Sequence, residues 1–108
     1  METDRLKLQL LEQSNVDTAA LYNTNLQILE AVALKIIFNT ITATSGATSL
    51  YRLYLMDNAT DADHNNLIIR INVNTVRVIP PTNGMRFINI GDNREYTYLN
   101  NTWTSVAL

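Results

Sequence analysis

The hydrophobic pattern changes its period along the chain. The first 45 residues contain no glycine or proline, and their apolar side chains recur at spacings of three and four, which is typical of a helix. We expect this helix to span residues 3–39. Its apolar positions are Leu8, Leu11, Tyr22, Leu26, Leu29, Val32, Ala33, Ile36 and Ile37.

The middle of this helical region is polar. Ser14 and Asp17 have the spacing of a capping box, so we expect the helix to break near residue 14. A seven-residue register through the region places Asn15 and Asn25 between apolar ends. Asn at a core position of a coiled coil costs stability but fixes the register and the number of strands.

Residues 26–38 are apolar nearly all round the helix, with Gln27, Glu30 and Lys35 as interruptions. Such a helix must be buried on more than one side. It could pack on a β domain of its own chain, or it could bundle with helices of other copies. We favour self-association, in a trimer, with the apolar positions given above forming the interface.

From Leu50 onward the period becomes two, which predicts strands. The strand candidates cover residues 50–56, 67–79, 85–90, 95–99 and 102–108, with a bulge or tight turn expected at Asn74 and Thr75. Five or six short strands predict a small antiparallel β-sandwich or barrel. The expected fold class is therefore α+β, with a helical oligomerisation segment at 1–39, a Thr/Ser-rich linker at 40–49 and the β domain at 50–108.

The chain ends in EYTYLNNTWTSVAL, which reads as a hairpin turning at Asn100 and Asn101. Cross-strand aromatic pairs stabilise such hairpins. A terminal strand without a polar tail is expected to be buried, partly against a neighbouring subunit. The residues expected to pack in this hairpin are Tyr96, Tyr98, Trp103, Val106 and Leu108.

The composition of the chain argues against some classes of partner. The chain has 108 residues, enough for one domain, and its net charge of -2 favours neither nucleic acid nor an anionic membrane as a partner. It has no cysteine and no apolar run long enough to span a bilayer. The start, METDRLKLQL, does not resemble a signal peptide. Fourteen asparagines and 13 threonines supply the surface polarity in place of charge.

Candidate chemistry is sparse. Asp61, Asp63 and Asn65 have the first spacings of a calcium loop, but Asn66 and Asn72 stand where that loop needs glycine and glutamate. We interpret residues 57–66 as a solvated loop, with its single histidine, His64, exposed. We expect no metal, no cofactor and no catalytic residue, so the chain is not expected to be an enzyme.

Aromatic residues offer an alternative. A face that stacks carbohydrate or bases could form from aromatic side chains near two arginines. These residues are Tyr51, Tyr54, Tyr96, Tyr98 and Trp103, with Arg52 and Arg94.

The apolar helix 26–38 and the C-terminal hairpin 95–108, in Asn/Thr-rich surroundings, resemble small accessory proteins of tailed bacteriophages. These include capsid decoration or cement proteins, head fibres and tail-fibre modules. The resemblance implies location in the virion and contact with the major capsid protein or another virion protein. A glycan-binding or receptor-binding fibre module and an unrelated β domain or small enzyme remain alternatives.

Overall fold

The computed structural model describes residues 18–108, with side chains from Asn23 onward. The fold is α+β and mostly sheet, as expected. Within residues 18–108, one α-helix, α1, covers Thr18–Ala33 and precedes a short 3₁₀ turn at Thr44–Gly46 and seven strands. The strands are β1 Ile36–Ile41, β2 Leu53–Met56, β3 Leu67–Asn72, β4 Thr75–Ile79, β5 Arg86–Asn89, β6 Arg94–Leu99 and β7 Thr102–Ala107.

Three expectations lie outside the described residues. They are the helix break near residue 14 and the interface positions Leu8 and Leu11. Tyr22 belongs to α1, but its side chain also lies outside the described part. These points remain predictions.

The helix ends earlier than the apolar pattern predicts. The N–H of Leu34 donates to the Glu30 carbonyl at 3.0 Å, and the N–H of Lys35 donates to the Val32 carbonyl at 3.1 Å. Lys35 has a φ of 57°, the left-handed conformation that commonly ends helices. The prediction of helix to residue 39 is therefore wrong for 34–39, where β-branched Ile36 and Ile37 begin a strand instead.

The strands form one mixed sheet in the order β4-β3-β2-β1-β5-β6-β7. β1 pairs in parallel with both β2 and β5, while the remaining neighbours are antiparallel. The prediction of five or six antiparallel strands in a sandwich or barrel is thus corrected to seven strands in an open mixed sheet. Because β1 lies at its centre, the boundaries expected at 39 and 50 do not separate helix from sheet.

The sheet curls around one main core. The buried residues of this core come from α1 and from β1 to β5: Ile28, Ala31, Ile37, Leu53, Leu55, Leu67, Ile69, Ile79 and Phe87. Trp103 of the edge strand β7 packs against them, and its indole N–H donates to the Asn65 carbonyl at 2.8 Å. Since Asn65 lies in the β2–β3 loop, this bond joins the two halves of the sheet.

The expected linker is part of the folded domain. Residues 42–50 cross one face of the sheet and cover a second, smaller core that contains Ile41, Ala47 and Tyr54. Arg70 of β3 holds this segment, because its guanidinium donates to the carbonyls of Thr44, at 3.0 Å, and of Ala47. The segment is the crossover that joins the parallel strands β1 and β2.

Two turns follow the sequence pattern. Asn100 and Asn101 have φ values of 52° and 65°, which confirms the predicted two-residue hairpin turn between β6 and β7. Between β3 and β4 the expected change of face occurs through a tight turn at Val73–Asn74 together with a register shift between Arg70 and Asn72.

The hairpin turn provides a test of local strain. Asn100→Val should lower the free energy of unfolding by about 1–2 kcal/mol, because a β-branched side chain disfavours positive φ. Asn101→Gly should keep or raise the stability, since glycine adopts this conformation without strain. Urea titrations followed by Trp103 fluorescence measure both. Equal destabilisation by the two substitutions would contradict this account of the turn.

Candidate interaction surfaces

Six apolar side chains lie exposed on the face of the sheet opposite the main core. We call this set, Ile36, Phe38, Ile88, Ile90, Val106 and Leu108, the apolar face. Strand register assembles it, because Ile36 pairs with Ile88, Ile88 pairs with Glu95, and Glu95 pairs with Val106. Directly paired residues of neighbouring strands point to the same face.

Two shallow cavities show that four of these side chains are neighbours. Ile36, Phe38 and Ile90 line one cavity of about 200 Å³, which also touches Leu34 and Tyr51. Ile36 and Ile88 line another cavity, of about 350 Å³, beside Arg86 and Glu95. Ile36, Phe38, Ile88 and Ile90 therefore form one patch along β1 and β5, and Glu95 of β6 lies between this patch and Val106 on β7.

Phe38 marks the boundary of the patch. Its ring meets the ring of buried Tyr54 edge to face, with the centroids 5.7 Å apart. The Tyr54 hydroxyl accepts a hydrogen bond from the Ser49 N–H at 3.1 Å, within the crossover 42–50. The crossover thus covers this side of β2, β3 and β4, while the apolar face on β1, β5, β6 and β7 stays open.

The charges at the apolar face are few. The guanidinium of Arg86 lies 3.5 Å from the carboxylate of Glu95, and both side chains sit beside Ile88. Lys35 lines the same cavity at its edge. Exposed ion pairs of this kind contribute little to the stability of the fold on their own.

A second exposed apolar surface lies on α1. Leu26 and Leu29 are 45% and 41% exposed, and Ala33 is also exposed. Their spacing of three and four places them on one side of the helix, which we call the helix stripe. Ile28 and Ala31, on the other side, are buried against the sheet.

The expected interface positions lie in different environments of the structure. Val32, three residues after Leu29, is half-buried at the border between the helix stripe and the chain's own core. Ile36 and Ile37 are not helical: Ile37 is buried in the core, and Ile36 belongs to the apolar face. Of the predicted interface positions with described side chains, the helix stripe retains Leu26, Leu29 and Ala33.

The C-terminal hairpin divides between two environments. Tyr98 and Phe87 contact the Trp103 ring, at centroid distances of 5.1 Å and 6.2 Å, on the core side of the sheet. Val106 and Leu108 are 61% and 70% exposed, so their expected packing does not occur within their own chain. Their burial against a neighbouring subunit remains a prediction.

Several apolar face residues escaped the sequence interpretation. The apolar spacing places Phe38 in the helix. The alternation at residues 85–90 predicts a strand but does not show which side of that strand other elements cover. In β5 the pattern is the reverse of the usual one, since Asn89 is fully buried while Ile88 and Ile90 are exposed. The Asn89 side-chain oxygen accepts the Gly91 N–H at 2.8 Å, which satisfies part of its polarity.

The aromatic residues do not form one stacking surface. Tyr54 is buried under the crossover, whereas Tyr96 and Trp103 pack against the main core. Arg94 is engaged with β7, donating to the hydroxyl oxygen of Ser105 at 2.9 Å and to its carbonyl at 3.1 Å. The expected alternative of a glycan-stacking face therefore lacks a common plane for these rings.

In the candidate calcium loop, side chains accept hydrogen bonds from the loop's own backbone N–H groups. A carboxylate oxygen of Asp61 accepts the Asp63 N–H at 2.8 Å. His64 is half-buried, not exposed as expected, and its Nδ1 accepts the Asn58 N–H at 3.0 Å. In residues 18–108 no three His, Asp or Glu side chains are grouped in a way that could hold a metal.

Comparison with protein-family models, curated protein sequences and solved structures gave no match to this chain. Within the described part of the chain, the helix is too short and too polar to cross a membrane. Functional inference therefore depends on the two exposed surfaces.

The two environments of the hairpin predict a large and a small effect of substitution on the free energy of unfolding. Trp103→Ala should lower the free energy of unfolding by about 3 kcal/mol, because it removes core contacts and the bond to Asn65. Val106→Thr should change it by less than about 0.5 kcal/mol in the dissociated chain, since Val106 is exposed there. Chemical unfolding at low protein concentration measures both, and a large effect of Val106→Thr would refute this assignment.

The raised pKa of Tyr96 leads us to expect a loss of stability at high pH. Burial, together with the hydrogen bond from its hydroxyl to the Asp92 carboxylate, raises its pKa from 10.0 to about 12. The protonated phenol therefore stabilises the fold below pH 10, and this contribution disappears as the pH rises towards 12. Tyr96→Phe should lose less stability than wild type over that range in urea titrations. Tyr98→Phe is the control and should behave like wild type.

Proposed function

We propose that this chain is a non-enzymatic structural protein of a bacteriophage particle. It forms homo-oligomers, most simply trimers, and strengthens the shell as a capsid cement or decoration protein or as a head fibre. The helix bundles with copies of itself, and apolar contacts between subunits do the work without a cofactor. The partners are other copies and the major capsid protein or another virion protein.

The helix stripe is the observation that carries this proposal. α1 uses Ile28 and Ala31 to pack on its own sheet, which leaves Leu26 and Leu29 in water on the other side. An isolated helix of 16 residues is marginal without tertiary packing. Covering the stripe with the same stripe of other copies would bury these leucines. It would also give α1 packing contacts on a second side.

The surroundings of the stripe favour helix–helix contact. Gln27 is exposed on a different side of α1, while Glu30, one turn from Leu26 and from Ala33, borders the stripe and carries the only charge in residues 23–34. The interface positions expected in the first 17 residues would continue the stripe towards the N-terminus. Asn15 and Asn25 would lie near such a bundle, where polar side chains select the number of helices.

The oligomer is tested by mass. Wild type should have three times the mass of the 12.2 kDa chain in light scattering. Each covered leucine contributes on the order of 1 kcal/mol, so Leu26→Gln with Leu29→Gln should raise the dissociation concentration by at least roughly tenfold. The control carries Gln27→Ala with Glu30→Ala and should keep the wild-type mass. If the leucine variant kept that mass at every concentration, the helix stripe would not be the interface.

The particle role needs a separate measurement. Particles assembled with the protein should rupture at a higher temperature than particles without it, and the leucine variant should protect less than the control variant. Equal rupture temperatures for all of these particles would reject a cement function.

A further inference from the structure

We propose that the apolar face takes a second copy of this chain, with the two faces packed against each other about a twofold axis. This contact is separate from the helix stripe, and so goes beyond the proposed function. Its centre is the row Ile36, Ile88 and Val106, with Phe38 and Ile90 beside it. A sheet face of this composition is normally covered, as the crossover 42–50 covers the other half.

Charge makes the apolar face complementary to itself. Arg86 and Glu95 lie side by side at 3.5 Å through a single contact. A guanidinium has five N–H donors and a carboxylate accepts about four hydrogen bonds, so both groups retain unused capacity. A twofold axis that lies in the face between them would place Arg86 of one copy over Glu95 of the other, and the reverse. Lys35 lies at the edge of the same cavity, where it adds a second cation near each carboxylate.

The same charges disfavour partners of one sign. A strongly acidic surface laid on the face would oppose Glu95, and a strongly basic one would oppose Arg86 and Lys35. Like charges brought together across an interface are costly. A second copy satisfies both signs at once, which is why we assign it as the occupant.

The sheet edges are less available for self-association. On β7, Arg94 donates to the Ser105 carbonyl at 3.1 Å, so this acceptor is already engaged. On β4, Arg77 lies within the strand and Pro80 follows its end. Charged residues and prolines at sheet edges oppose edge-to-edge pairing. Two copies therefore meet more readily through the apolar face than by extending the sheet.

The size of the face sets the strength of this contact. The face spans four strands spaced about 4.8 Å apart, with two apolar side chains each at β1, β5 and β7 and Glu95 on β6, which gives a footprint on the order of 400 Å². A stable interface buries about 800 Å² on each partner. The contact should therefore be weak by itself and should depend on protein concentration, while becoming effective when the helix stripe has already brought copies together.

The experiment removes the helix contact and retains the face. The background variant carries Leu26→Gln and Leu29→Gln, and sedimentation velocity follows its mass over a concentration series. The mass should rise towards twice the 12.2 kDa chain. Adding Ile88→Lys should hold it at one chain. Val73→Lys is the matched control, because Val73 is 87% exposed but lies on the β3–β4 turn, and it should leave the association unchanged.

Charge reversal tests the twofold pairing. In the same background, Arg86→Glu and Glu95→Arg should each weaken association, because each makes positions 86 and 95 alike in charge, so that like charges face each other across the twofold axis. An equimolar mixture of these two variants should associate again. Circular dichroism checks folding, and Ile88→Thr replaces Ile88→Lys if the lysine variant does not fold.

The outcomes separate the two proposals. A background variant that stays monomeric at every concentration overturns the face contact, even if wild type is a trimer. Association that survives Ile88→Lys or Ile88→Thr also overturns it, and a mixture that fails to associate overturns the twofold arrangement. If the background variant dimerises while wild type never exceeds a dimer, the face contact stands and the helix trimer is wrong.

Discussion

The central position of β1 is the constraint on which the rest of the structure depends. Its parallel pairing with β2 and β5 joins the β4-β3-β2 half of the sheet to the β5-β6-β7 half. Ile37 is fully buried on one side of the strand, while Ile36 and Phe38 point out on the other. One strand therefore contributes to the core and to the apolar face at once.

This division leaves the chain with more apolar surface than its own core covers. The crossover held by Arg70 covers half of one sheet face, and the indole bond of Trp103 closes the curled core. The helix stripe and the apolar face stay open. Both have the character of contact surfaces, because exposed apolar side chains dominate them.

The local elements were largely predictable from the sequence. The Asn100–Asn101 hairpin and the strands after Leu67 follow from turn chemistry and alternation, which act over a few residues. The sequence places Ile36 and Ile37 in the helix because the apolar spacing of three and four continues through both residues. In the structure the helix and the strand are separated by Lys35, whose backbone is left-handed, and a lysine gives no signal of positive φ in a sequence.

The candidate surfaces were harder to predict. The apolar face combines Ile36 with Val106 and Leu108, which are about 70 residues apart, and their proximity depends on strand order. Alternation shows that Ile88 and Phe87 point to opposite sides, but it does not show which side the helix covers. Leu26 and Leu29 are predicted as interface residues because the excess of apolar surface on the helix is visible locally, whereas the sequence does not show that Val32 would be half-buried against the sheet of its own chain.

The two-residue junction at Leu34 and Lys35 has a mechanical consequence. Because α1 leads directly into β1, a force applied along the helix enters the sheet at its central strand and not at an edge. Where that force runs along β1, it loads the hydrogen bonds from β1 to β2 and β5 together in shear, so several must fail at once before the strand moves. An anchored helix could therefore transmit tension to the sheet domain without peeling the sheet apart strand by strand.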